Sequence, residues 1–198
     1  MNAFIALEKY IVKEERDFGI GVSVTLDEGI AKYESQRKKN VQSYNNWLLI
    51  DIPKASFFLD ASKPVSEQSE DILRVLADRK FILSLFVHEG KILLGDMGGK
   101  LSGSNVKEET DRIFDEFSKE KYGILSKFGS GLDLFRFVNS KCIDHDKGKS
   151  SALLYSHGIK GIAYRDETGD RLFLFNAKKD ISPLEYRSAS LIDSRLVM

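Results

Sequence analysis

The sequence predicts a single α+β domain, with strands and helices interleaved along the chain. One observation is the stretch Ser156 to Asn176, which reads as a helix end, a stop at Gly158, a short strand, a polar turn and a second apolar strand. Another is Trp47-Leu48-Leu49-Ile50-Asp51-Ile52, a near-continuous apolar run halted by Pro53, as in a buried strand. A third is helical spacing of apolar residues around Leu132–Val138 and Ser150–Leu154.

Taken in order, residues 3–16 place Phe4, Ile5, Leu7, Ile11 and Val12 at spacings that fit a helix slightly better than a strand. Gly19 to Thr25 alternates small and β-branched residues and reads as a strand entered through glycines. Asp27 is a plausible N-cap for a helix from Glu28 to about Lys38, closed by the basic run Arg37-Lys38-Lys39. Phe57 to Asp60 is a short extended piece, and Ser66 or Ser69 caps the helix that carries Ile72, Leu73, Val75 and Leu76.

Residues 80–130 are the least regular part and read as an insertion in the domain. Phe81–Val87 and Lys91–Leu94 form either a hairpin turning at His88-Glu89-Gly90 or a helix and a strand. Gly95–Ser104 reads as a loop, and Glu108–Tyr122 carries helical spacing. Asp180-Ile181-Ser182-Pro183 is expected as a last short strand, ahead of a weakly patterned tail from Leu184 to Met198.

Composition narrows the function. The 198 residues carry 30 acidic and 30 basic side chains, so bulk attraction to nucleic acid or a membrane surface is not expected. No apolar run approaches the roughly 20 residues of a membrane span. The lone Cys142 excludes an internal disulfide and fits a reducing compartment, and Met1-Asn2-Ala3-Phe4 has no signal-peptide character. A cytoplasmic location is expected. No metal site is expected either: Asp144-His145-Asp146 reads as a solvated turn, since adjacent residues rarely converge on one ion. Gly95 to Ser102 evokes a phosphate loop, but Leu94 and Leu101 stand where a glycine and a Ser or Thr are required.

An ordered set of motifs goes further. Gly19-Ile20-Gly21-Val22-Ser23-Val24-Thr25 with Ala31 and Tyr33 is followed by Leu48-Ile50-Asp51-Ile52-Pro53. Then come Leu59-Asp60, Lys63-Pro64 and Ser66-Glu67-Gln68-Ser69, the segment Lys149–Ala152, and Gly158-Ile159-Lys160-Gly161-Ile162-Ala163-Tyr164. In this order they resemble the ADP-ribosyltransferase domains of phage and conjugative-element polyvalent proteins, over about residues 18–78 and 130–182. The resemblance implies a split antiparallel or mixed β core with flanking helices. It also implies NAD as substrate and a host protein as target.

It implies site residues as well. Gly19, Gly21, Ser23 and Thr25 would border the cofactor, and Tyr33 would stack on the nicotinamide, though each also reads as an ordinary strand or helix residue. The motif departs from the family at Ser23, where a tyrosine is usual, and at the opening strand, where Arg16 is the one arginine and no histidine is present. Arg171 stands where related transferases carry the catalytic glutamate. Glu167 or Asp170, from the turn before it, would then supply the carboxylate that orients the ribose. Two functions follow: an NAD-dependent mono-ADP-ribosyltransferase, or a catalytically degenerate relative acting as a binding or inhibitor module.

Overall fold

A computed structural model of the chain describes residues 1–6, 14–16, 19–37, 46–88, 91–92, 128–141 and 146–188, with Glu108, Asp111, Asp115 and Leu125 as isolated positions. The strands are β1 (Asn2–Ala6), β2 (Glu14–Arg16), β3 (Gly19–Thr25), β4 (Asn46–Asp51), β5 (Phe58–Asp60), β6 (Val87–His88), β7 (Lys91–Ile92), β8 (Gly161–Asp166), β9 (Gly169–Leu174) and β10 (Ser182–Ser188). The helices are α1 (Glu28–Arg37), α2 (Glu70–Leu76), α3 (Arg79–Phe86), α4 (Gly131–Lys141), α5 (Lys147–Ser156) and the short α6 (Ala177–Asp180). The α+β class is as predicted.

Seven strands run in the order β10-β4-β1-β3-β9-β8-β5, with β2 paired to β3 besides, and β6–β7 form a separate small hairpin. Every pairing in the main sheet is antiparallel except β5 with β8. The sheet is therefore mixed.

Period-two alternation sends the apolar side chains of these strands into two cores. Leu59, Ile162 and Phe173 join Ile72, Leu76, Phe81, Phe135, Val138 and Leu154 from the helices. The residues next to them in the strands, Phe58, Leu172 and Leu174, join Ala3, Ile5, Val22, Val24, Leu48 and Ile50 on the other face. Among the described residues, the short α6 contributes the one helical side chain of that second cluster, Ala177, and Ile52 and Ile181 belong to it as well.

Local caps follow the sequence. Asp27 Oδ1 accepts the N–H groups of Gly29 (2.7 Å) and Ile30 (3.3 Å) at the start of α1. Ser69 Oγ accepts the N–H of Ile72 to open α2, whereas Ser66 lies in a 3₁₀ turn before it. Gly158 directly follows the C-cap of α5.

Two expectations are corrected and one alternative is decided. Residues 2–6 and 14–16 are strands and not part of a helix, because β1 sits inside the sheet between β3 and β4 with Ala3 and Ile5 buried, and β2 pairs with β3. Asp180 closes a helical turn, and the last strand runs on to Ser188 on the sheet edge. Of the two alternatives for 81–94, Phe81–Phe86 is the helical one, and Val87–His88 then pairs antiparallel with Lys91–Ile92. Phe81, Ile82 and Leu85 of α3 belong to the main helical core, as does Leu125. The loop and phosphate-loop resemblance at 95–104, and most of the helix expected over 108–122, lie outside the described residues.

Candidate functional site

The sheet leaves a cleft of about 400 Å³ where β5, β8 and β9 end, lined by Leu26, Ala55, Asp60, Ser62, Ala163, Tyr164, Arg165, Asp170, Arg171 and Leu172. Register explains its chemistry. Asp60 pairs with Ala163, and Ala163 with Leu172, so these three side chains form a row on one face. One step along the hairpin, Arg165 pairs with Asp170 on that same face. The cleft thus has an apolar centre flanked by the Asp60 carboxylate on one side and an Arg165–Asp170 ion pair on the other.

Asp60 is held rigidly. Its Oδ1 accepts from Ser62 N (3.0 Å), Ser62 Oγ (2.8 Å) and Lys63 N (3.3 Å). Burial alone would raise its pKa, but these hydrogen bonds and the Lys63 ammonium prevail and hold it below the usual aspartate value. The buried Gln68 fixes the same segment: its Oε1 accepts the Asp60 N–H (2.7 Å), and its Nε2 donates to the carbonyls of Asp60 and Lys63. The Leu59–Ser69 motif is therefore a clamp that builds one wall of the cleft.

Arg171 faces away from this row. Alternation puts its side chain with Tyr164 and Thr25 on the opposite face, toward α1. Its guanidinium, 1% exposed, donates to Glu34 Oε1 (2.6 Å) and Thr168 Oγ1 (2.5 Å) and lies 3.3 Å from Asp166 Oδ2. Burial opposes its charge, yet the two carboxylates outweigh burial and raise its pKa above the ordinary value. Asp166 also ties the turn, accepting from the backbone and hydroxyl of Thr168.

The other sequence-predicted residues separate into two groups. Asp170 lines the cleft, with its side chain 81% exposed and 3.7 Å from Arg165. Glu167 is exposed at the hairpin tip and is not among the lining residues. Tyr33 is 54% exposed on α1 and does not line the cleft. Ser23 and Thr25 are buried on the Arg171 face: Ser23 Oγ shares a 2.8 Å hydrogen bond with the Tyr164 hydroxyl, and Thr25 Oγ1 accepts the Asp27 N–H. Gly19 and Gly21 serve close packing. A Cβ at Gly19 would strike Ser151 of α5, and one at Gly21 would strike the Leu174 carbonyl, while Gly19 also has φ of +125°.

Compared with models of known families, with curated proteins and with solved structures, the chain matches none. The site therefore rests on its own geometry.

Sequence reasoning missed Asp60, Ser62, Arg165 and Leu172 as lining residues, and Glu34 as the partner of Arg171. Hairpin alternation was the available signal, because it puts positions 163, 165, 170 and 172 on one face and 164 and 171 on the other. Among the described residues, no group of three or more His, Cys, Asp or Glu is placed to hold a metal ion, and no helix is long and apolar enough to cross a membrane. Asp146 instead caps α5 through the N–H groups of Gly148 and Lys149. His157 ends that helix with its ring edge-on to Phe81. Cys142, Asp144 and His145 lie outside the described residues.

Proposed function

We propose that the chain is an NAD-binding domain of the ADP-ribosyltransferase-like kind its motifs resemble, and that it binds the dinucleotide without transferring ADP-ribose. On this reading it acts on a host protein as a binding or inhibitory module. The observation that carries it is Arg171. The position that would bear the catalytic glutamate holds an arginine whose side chain is buried and paired with Glu34 and Asp166, on the sheet face opposite the Asp60–Ala163–Leu172 row.

The cleft's size and its apolar centre with polar ends suit a small organic ligand. The fit extends to a nucleoside moiety on the Ala163–Leu172 floor. It does not extend to a stacked nicotinamide on Tyr33, whose ring is exposed elsewhere on α1. No transfer step follows from these residues.

A second reading, an active mono-ADP-ribosyltransferase, is favoured by one observation: the Asp170 carboxylate does line the cleft. Thermal melts with millimolar NAD, together with radiolabelled NAD incubated in host lysate, separate the two. Binding without protein labelling supports the module. Labelling that is lost in Asp170→Asn establishes the transferase. No thermal stabilisation and no labelling rejects both.

A further inference from the structure

We infer that Asp60 is the anchor of the cleft's ligand and receives the hydroxyl donors of a sugar diol, so that the cleft selects the ribose of a nucleoside over a bare phosphate group. This rests on the NAD-binding reading and names the part of the ligand that is recognised.

Charge decides between the two ligand chemistries. On the cleft face the carboxylates Asp60 and Asp170 are each paired with one cation, Lys63 and Arg165, while the Arg171 guanidinium lies on the other face against Glu34 and Asp166. A phosphate placed there would meet no net positive charge and two carboxylates already holding the nearby cations. A vicinal diol, which donates hydrogen bonds, meets acceptors. An acidic side chain receiving ribose hydroxyls is a general solution to nucleoside recognition.

Of the two carboxylates, Asp60 is the preorganised one. Three donors fix its Oδ1, and Gln68 fixes its backbone. Its Oδ2 faces the Lys63 ammonium at 3.6 Å, and that lysine is 60% exposed. An ion pair this exposed is weak, so a ligand hydroxyl displaces the lysine at little cost. Asp170 lacks this support: its carboxylate is 81% exposed and stands against Arg165 at 3.7 Å. An acceptor whose orientation is set before the ligand arrives loses less entropy on binding.

The test is Asp60→Asn. An asparagine keeps an oxygen to accept from Ser62 and Lys63, so the turn survives, while the ligand-facing acceptor becomes a donor. Calorimetry would compare NAD, adenosine, 2′,3′-dideoxyadenosine and inorganic phosphate on both proteins. The wild type should bind adenosine about ten- to a hundredfold more tightly than the dideoxy analogue, as expected for hydrogen bonds to a charged group. Asp60→Asn, with an unchanged melting temperature, should bind both nucleosides equally weakly. Discrimination that persists in Asp60→Asn overturns the inference, as does phosphate binding more tightly than adenosine or a wild type that binds no nucleoside. Adenosine binding without NAD binding overturns the NAD reading and leaves the inference standing.

Discussion

Removing a guanidinium from water costs several kcal/mol, and Arg171 meets that cost with Glu34, Asp166 and the Thr168 hydroxyl. The arrangement joins three separate parts of the chain: α1, the hairpin turn and β9. Arg171→Leu would leave Glu34 and Asp166 facing each other without a cation. Urea denaturation should show a loss of about 3–5 kcal/mol. Arg165→Gln, six residues earlier and 80% exposed, should stay within about 0.5 kcal/mol of wild type. Equal losses in the two variants would mean that Arg171 is no more structural than a surface residue. The same cluster gives a pH signature. At Asp166 burial pushes the pKa up, but hydrogen bonds from Thr168 and the charge of Arg171 bring it below the usual 3.8. A carboxyl whose folded pKa is lowered stabilises the fold above its unfolded pKa and loses that contribution as pH falls through the folded value. Wild-type stability should drop below about pH 4, with a shallower drop in Asp166→Asn.

At the scale of elements, the segment from Asp60 to Ser69 wraps around one side chain. Gln68→Ala would strip the Asp60 N–H and the carbonyls of Asp60 and Lys63 of their partner. The expected cost is about 1–3 kcal/mol, with faster hydrogen exchange at the Asp60 amide. Unchanged exchange there would show that the loop is held by other contacts. This motif was visible in the sequence as a string of residues, but its purpose was not, because a side chain that bonds backbone leaves no pattern of partner residues. Elements on half-exposed faces or with clear caps were legible: α1 behind Asp27, α2 behind Ser69 and the β8–β9 hairpin. β1 was not, since Ala3-Phe4-Ile5-Ala6 is apolar throughout and its sequence lacks the polar–apolar alternation that marks a strand, although Phe4 is only half-buried. The length of β10 was hidden for the opposite reason. An edge strand with Pro183 near its start and only the exposed pair Leu184 and Tyr186 alternating with Glu185 and Arg187 gives a weak strand pattern. The site failed at the same level, since motif alignment identified positions 170 and 171 but could not say which of the two points into the cleft.

For the whole molecule, the alternation that shapes the cleft also couples the two cores. β9 sends Phe173 into the helical core and Leu172 and Leu174 into the strand-lined core. β5 and β8 divide their side chains similarly, with Phe58 and Leu59 on opposite faces and Ala163 opposed to Ile162. Neither core can come apart while the other keeps these strands in place, so unfolding should be a single event. The chain has one tryptophan, Trp47, which is buried on β4 and donates to Glu28 of α1, far from the helical core in the sheet order. Its fluorescence reports the α1 side of the sheet, whereas far-UV circular dichroism also senses α2 to α5. In urea the two signals should trace one transition. Phe173→Ala, made at a fully buried ring, removes packing from the helical core alone and should cost about 3–5 kcal/mol. If the cores are coupled, that substitution shifts the Trp47 transition as far as the dichroism transition. A dichroism midpoint that falls while Trp47 fluorescence holds its wild-type midpoint would mean that the cores unfold separately and that the shared strands do not bind them together.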